Sequence, residues 1–122
     1  MQMASVAQTI ANDGVHEPTS VVANKKLRPH AEATRVMSKK VAAELNELMI
    51  GVVTEGTGTA ELGPKPGEEE SENPTQIKDA WFAAFAPAEK AKLAIGVLLI
   101  EAEAAGGDVA APAAAEVLSA GL

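Results

Sequence analysis

Residues 56–63 read Gly-Thr-Gly-Thr-Ala-Glu-Leu-Gly. Thr57 and Thr59 are hydroxyl-bearing residues flanked by glycines, with Gly58 between them, and no evident base accompanies them. They look like half of a binding site. Taken alone, so short a match reads better as a glycine-rich turn after a helix.

The other residue types that carry chemistry lack company. His16 and His30 lie in turn-like polar segments, without the spacing or the carboxylates of a metal site, which needs three or four convergent ligands. They read as surface histidines, and neither a metal nor a cofactor is expected. Glu68, Glu69, Glu70 and Glu72 lack the spacing and the turn glycine of a calcium loop and read as a solvated linker. Ser71-Glu72-Asn73 has the form S-x-N, and Thr75-Gln76-Ile77-Lys78 imitates S-x-x-K with threonine for serine. A working S-x-x-K opens a buried helix, so that the lysine folds back onto the serine. Thr75 instead follows a proline in a polar loop, and both matches read as coincidences.

The elements that must position GTGTAELG are predicted from periodicity. Met3, Val6, Ala7 and Ile10 fall on one face of a first helix, which Asn12-Asp13-Gly14 stops, with Gly14 free to take a left-handed cap. A short extended piece is expected at 19–22, "TSVV". Ser38 is the expected N-cap of a second helix, whose stripe is Val41, Ala42, Leu45, Leu48, Met49, Val52 and Val53. Residues 63–78 are expected to form a flexible acidic loop. The runs "DAWFAAFAP" (79–87) and "LAIGVLLIE" (93–101), joined by "AEKAK", read as an antiparallel hairpin. The second run is continuously apolar, so both its faces should be covered. Asp108 is the expected cap of a last helix, with Pro112 in its first turn and Ala110, Ala113, Ala114, Val117 and Leu118 on its apolar face. The expected fold class is α+β: a partial antiparallel sheet of two long strands plus short extended pieces, packed with about three helices in one partial domain.

Composition bounds the function. The chain has 122 residues, 47% apolar, but alanine supplies much of that and buries little area, so the core is expected to be thin. Trp81, Phe82 and Phe85 are its aromatics, and local packing is expected to centre on them. A net charge of −7 argues against nucleic acid or an anionic membrane as partner. The absence of cysteine excludes disulfide and thiolate chemistry. No run approaches the length of a spanning helix, and "MQMASVAQ" has neither the basic nor the apolar region of a signal peptide. As written, the chain is expected to be cytoplasmic.

Five blocks, in order, resemble the C-terminal part of the transpeptidase domain of class B (monofunctional) penicillin-binding proteins. "MQMASVAQTIANDGVHEPTSVV" is similar to that family's helix and turn behind the active site, and "RVMSKKVAAELNELMIGVVTEGTGTA" to a helix ending in a GTGT turn. "TAELG", "DAWFAAFAPAEKAKLAIGVLLIE" and "GGDVAAPAAAEVL" resemble the lysine-threonine-glycine strand, the two strands after it and the closing helix. The resemblance implies a fragment of the penicillin-binding transpeptidase and serine β-lactamase-like fold. It implies a parent activity in which a serine attacks the D-Ala–D-Ala carbonyl of a peptidoglycan stem peptide, and a neighbouring stem's amine releases the acyl-enzyme. Stem peptide or penicillin is the implied ligand, at the outer face of the cytoplasmic membrane.

Two departures qualify it. The sequence contains neither a Ser-x-x-Lys nor the lysine of the K-T-G strand, and Gly56 stands where that lysine is expected. The family has two similar segments here and this chain has one, which points to a deletion between near-repeats. The resemblance assigns Thr57, Gly58 and Thr59 to the substrate-binding strand, and assigns no catalytic residue. The expected function is thus an inactive transpeptidase fragment that self-associates or pairs with a missing N-terminal part. The alternative is a non-catalytic interaction module pairing through an exposed sheet edge.

Overall fold

The computed structural model describes residues 1–27, 31–55, 78–102 and 104–122. Helix α1 (Gln2–Ala11) stops where the sequence predicts. The Asn12 N–H reaches Gln8 O and the Gly14 N–H reaches Thr9 O, both at 2.9 Å, with Gly14 at φ +82°. A side chain on Gly14 is excluded twice over: L-residues avoid that φ, and a Cβ would stand 2.5 Å from Met37 O. The Gly14 carbonyl accepts from Val36 N–H at 3.0 Å. This contact places strand β1 (Val15–His16) antiparallel to β2 (Thr34–Arg35). The expected extended piece at 19–22 lies outside any strand, because the partner row at residues 34–35 is taken by the residues next to the turn. Among the described residues between β1 and β2 the chain makes a 3-10 turn, Lys25–Leu27.

Helix α2 (Lys39–Thr54) begins on its predicted cap, with Val41 N–H donating to Ser38 Oγ at 3.2 Å. The predicted stripe is not buried as a whole. Ala42 alone is buried; Leu45 and Met49 are half-buried, and Val41, Leu48, Val52 and Val53 are exposed. The reason is that α2 packs on α1 and stands off from the strands. The Asn46 amide spans that separation, donating to Ala88 O at 3.1 Å.

The hairpin forms as predicted, with β3 (Lys78–Ala86) antiparallel to β4 (Leu93–Ala102). Trp81 faces Leu98, Ala83 faces Gly96 and Phe85 faces Ala94, so these residues share one side of the sheet. That side carries α1, since a Cβ on Gly96 would lie 2.9 Å from Ala4 N. The opposite side holds Ala80, Phe82, Ala84, Leu93, Ile95, Val97 and Leu99, and it carries helix α3 (Gly106–Gly121), whose Gly121 abuts the Leu93 side chain. Both faces of β4 therefore meet a helix, but the expected cover is only partial: no residue of β4 is fully buried, and Leu93, Leu98 and Ile100 are exposed.

Helix α3 starts earlier than expected. Ala105 is its N-cap, and its carbonyl accepts from Asp108 and Val109 N–H. Asp108 thus sits in the first turn, where its charge favours the positive end of the helix, and Pro112 lies inside the helix rather than in its first turn. The buried face is Ala110, Ala111 and Ala114, with Val117 exposed. In α1 the buried residues are Ala7 and Thr9, whose hydroxyl donates to Ser5 O at 2.8 Å; Met3 and Val6 are exposed. The described core is thus alanine, with Ala7, Ala42, Ala80, Ala110, Ala111 and Ala114, and no large side chain is fully buried. Each buried methyl contributes only about 0.8 kcal/mol. The aromatics do not centre the packing, because Trp81 is half out of it.

The paired glycines give a sharp expectation for urea unfolding. Gly14→Ala lowers stability by at least about 1 kcal/mol, whereas Gly51→Ala, in the middle of α2 with nothing within 4 Å of its Cβ, raises it by about 0.5–1 kcal/mol. Asn46→Ala removes the described link from α2 to the hairpin loop and costs about 1 kcal/mol in the same assay.

Candidate functional site

Thr57, Gly58 and Thr59 lie outside the described residues, as do His30, Glu68, Glu69, Glu70 and Glu72. The structure gives their frame. Helix α2 closes with the Glu55 N–H on Gly51 O at 2.9 Å and the Thr54 hydroxyl on Ile50 O at 3.1 Å. The described chain resumes at Lys78, the first residue of β3. In sequence the GTGTAELG stretch follows α2 and precedes β3.

Those two elements bound a cleft of ≈ 490 Å³, lined by Met49, Ile50 and Val53 of α2 and by Trp81, Phe82 and Phe85 of β3. The lining is apolar, and the Asn46 amide at its edge is engaged by Ala88 O. Such a cleft can seat an apolar group. Among its described lining residues no acid and base are brought together. Met49 and Val53 of this lining belong to the stripe that periodicity predicts, and Ile50 lies outside it; their incomplete burial follows from the stand-off of α2.

A second cluster was not legible in the sequence. The His16 Nδ1 lies 3.3 Å from both Ser5 Oγ and Thr9 Oγ1. A serine beside an imidazole suggests nucleophile activation, which requires a third group to orient the base. Here two hydroxyls share one ring nitrogen, and among the described residues no carboxylate bonds the other. The cluster instead joins α1 to β1. No spacing rule links residues 5 and 16; the Gly14 turn brings them together. Among the described residues, no three of His, Asp and Glu converge in a way that could hold a metal ion, and no helix is long and apolar enough to cross a membrane.

Residues 1–119 match the family described as the penicillin binding protein transpeptidase domain. The chain is 32% identical over 149 positions to the peptidoglycan D,D-transpeptidase PbpA of Mycolicibacterium smegmatis, covering 100% of this chain and 29% of that protein. It is 32% identical over 145 positions to the PbpA of Mycobacterium tuberculosis, covering 98% of this chain and 28% of that one. The chain thus spans less than a third of the length of these curated relatives. No solved structure matches. The helices and antiparallel strands described above are consistent with part of such a domain. The resemblance carried by the five sequence blocks is borne out: the chain belongs to the penicillin-binding protein transpeptidase domain family.

Proposed function

We propose that this chain is part of a peptidoglycan D,D-transpeptidase and that by itself it does not carry out the reaction. The observation that carries the first half is the identity to PbpA over the whole chain, together with the family match over residues 1–119. On this reading the parent enzyme works at the outer face of the cytoplasmic membrane. A serine of the parent attacks the carbonyl between two D-alanines, the terminal D-alanine leaves, and the amine of a neighbouring stem peptide takes the acyl group. Penicillin acylates the same serine.

The second half rests on what the sequence lacks. It holds no Ser-x-x-Lys and no lysine before Thr57. Thr57 and Thr59 correspond to the hydroxyls that hold the substrate or penicillin carboxylate, and the Thr59 N–H corresponds to an oxyanion donor. With Gly56 in the lysine's place, the carboxylate loses its cation. The PbpA comparison occupies 149 positions against 122 residues here, so that relative has positions without a counterpart, which supports an internal deletion. Resequencing the gene across Gly56 tests it, and a reading that restores both GTGT-like segments overturns it.

A second reading is favoured by one observation. The run from Leu93 to Ile100 carries no charge and leaves Leu93, Leu98 and Ile100 exposed, the mark of a strand that can pair with another chain. An intact, free-standing reading frame in several genomes favours that module. Coding sequence for S-x-x-K and S-x-N just upstream favours the transpeptidase.

Labelling with a fluorescent penicillin decides the matter of activity. Loss of the nucleophile costs about 10⁶ in kcat in an unrelated serine hydrolase, so the isolated chain is expected to give no covalent band on a denaturing gel. A labelled band overturns the reading that it is inert.

A further inference from the structure

Three side chains meet where α1 is joined to β1, and the place of one proton decides how they bond. Thr9 is 5% exposed, and the single proton of its hydroxyl is directed at Ser5 O, 2.8 Å away. Toward His16 Nδ1, at 3.3 Å, Thr9 Oγ1 then acts only as an acceptor. A ring nitrogen that faces an acceptor must carry hydrogen, since two lone pairs repel and a buried polar group left unpaired costs free energy. Ser5 Oγ, also 3.3 Å from Nδ1, has a hydroxyl that rotates to fit either role. Two equal distances, both longer than an ordinary N–H···O bond, fit one N–H shared between two acceptors.

We infer that His16 is held with its proton on Nδ1, donating to the hydroxyls of α1, and that the joint between α1 and β1 stays closed while the ring titrates. The ring gains its second proton at Nε2, and the imidazolium keeps the same Nδ1–H. The opposite assignment, Nδ1 as acceptor, draws the Thr9 proton away from Ser5 O and makes the joint a latch that acid opens. An Nδ1 that carries hydrogen has no lone pair with which to take a proton from Ser5, so it is no base for that serine. Helix α1 carries no ionisable side chain between Gln2 and Ala11. The charged groups on the neighbouring elements are Glu17 beside the ring on β1, Asp13 in the turn, Glu32 and Arg35 at β2, and Lys39 at the start of α2. Asn12 Nδ2 donates to Glu17 at 3.3 Å, Lys39 pairs with Asp13 at 2.9 Å, and Arg35 donates to Asp13 O at 2.8 Å. None of the described ion pairs includes the ring, so its described partners are the two hydroxyls.

The proton is located by long-range proton–nitrogen NMR correlation on the isotope-labelled full chain. His30→Gln leaves His16 as the single histidine, so its ring signals need no further assignment. On the alkaline side of the titration the expected neutral form carries hydrogen on Nδ1, and Nε2 is the nitrogen whose shift moves most as the ring is protonated. Ser5→Ala keeps this pattern, because Thr9 alone requires a donor. Thr9→Val removes the requirement and returns population to the Nε2–H form that an isolated imidazole prefers. Urea unfolding reads the joint itself. The fall in midpoint caused by Thr9→Val is expected to be at least as large on the acid side of the titration as on the alkaline side. An Nε2–H neutral form in the chain with Ser5 and Thr9 intact overturns the inference, as does a Thr9→Val loss that vanishes in acid. If Thr9→Val fails to fold by circular dichroism, the spectrum of the chain with both hydroxyls still decides.

Discussion

The ladder between β3 and β4 is the constraint on which the rest of the described structure depends. It is the longest pairing among the described residues, and α1 and α3 find their seats on its two sides. Each seat is made by a small residue. Gly96 lets the backbone of α1 approach β4, and Gly121 lets α3 pass the Leu93 side chain. Alanines then fill the narrow space between layers, which is why Ala80, Ala110, Ala111 and Ala114 are buried while larger apolar residues stay at the margins. Close approach of backbones substitutes for bulky interdigitation, and the burial energy per residue is correspondingly small.

That economy explains the unusual surface. Trp81, Leu98 and Ile100 lie on the side of the hairpin that α1 only partly covers, and α2 adds its own uncovered residues across the cleft. In a self-sufficient domain such side chains are drawn into the core, since apolar area left in water forfeits the main favourable term of folding. The chain matches under a third of the length of each of these relatives.

The chemistry of the family bears on residues 57–59, which lie outside the described residues and which we propose as the substrate-binding stretch. A transpeptidase needs a nucleophile, its base, donors for the oxyanion and a cation for the substrate carboxylate. On the proposed reading, Thr57 and Thr59 are the retained threonines and Gly56 stands in the lysine's place. The Ser5–His16–Thr9 cluster is no replacement, because its hydroxyls and ring nitrogen are spent on holding α1 to β1.

By itself the sequence determined what local rules control. Gly14 fixed the end of α1 because it alone tolerates that backbone angle, Ser38 fixed the start of α2 through its hydroxyl, and two apolar runs about a short polar link fixed the hairpin. The five blocks fixed the family. Tertiary structure decided which apolar residues are buried. Periodicity marks a face but not whether anything stands opposite it, so Val41, Leu48, Val52 and Val53 of the α2 stripe and Met3 and Val6 of α1 lie at the surface while Ala42 and Ala7 are buried. It also decided the start of α3, where the Ala105 carbonyl captured two N–H groups before Asp108 could act as cap. And it brought His16 to Ser5, a contact set by the Gly14 turn and by no spacing along the chain. Backbone angles and caps are properties of a few adjacent residues; burial is a property of what packs against them.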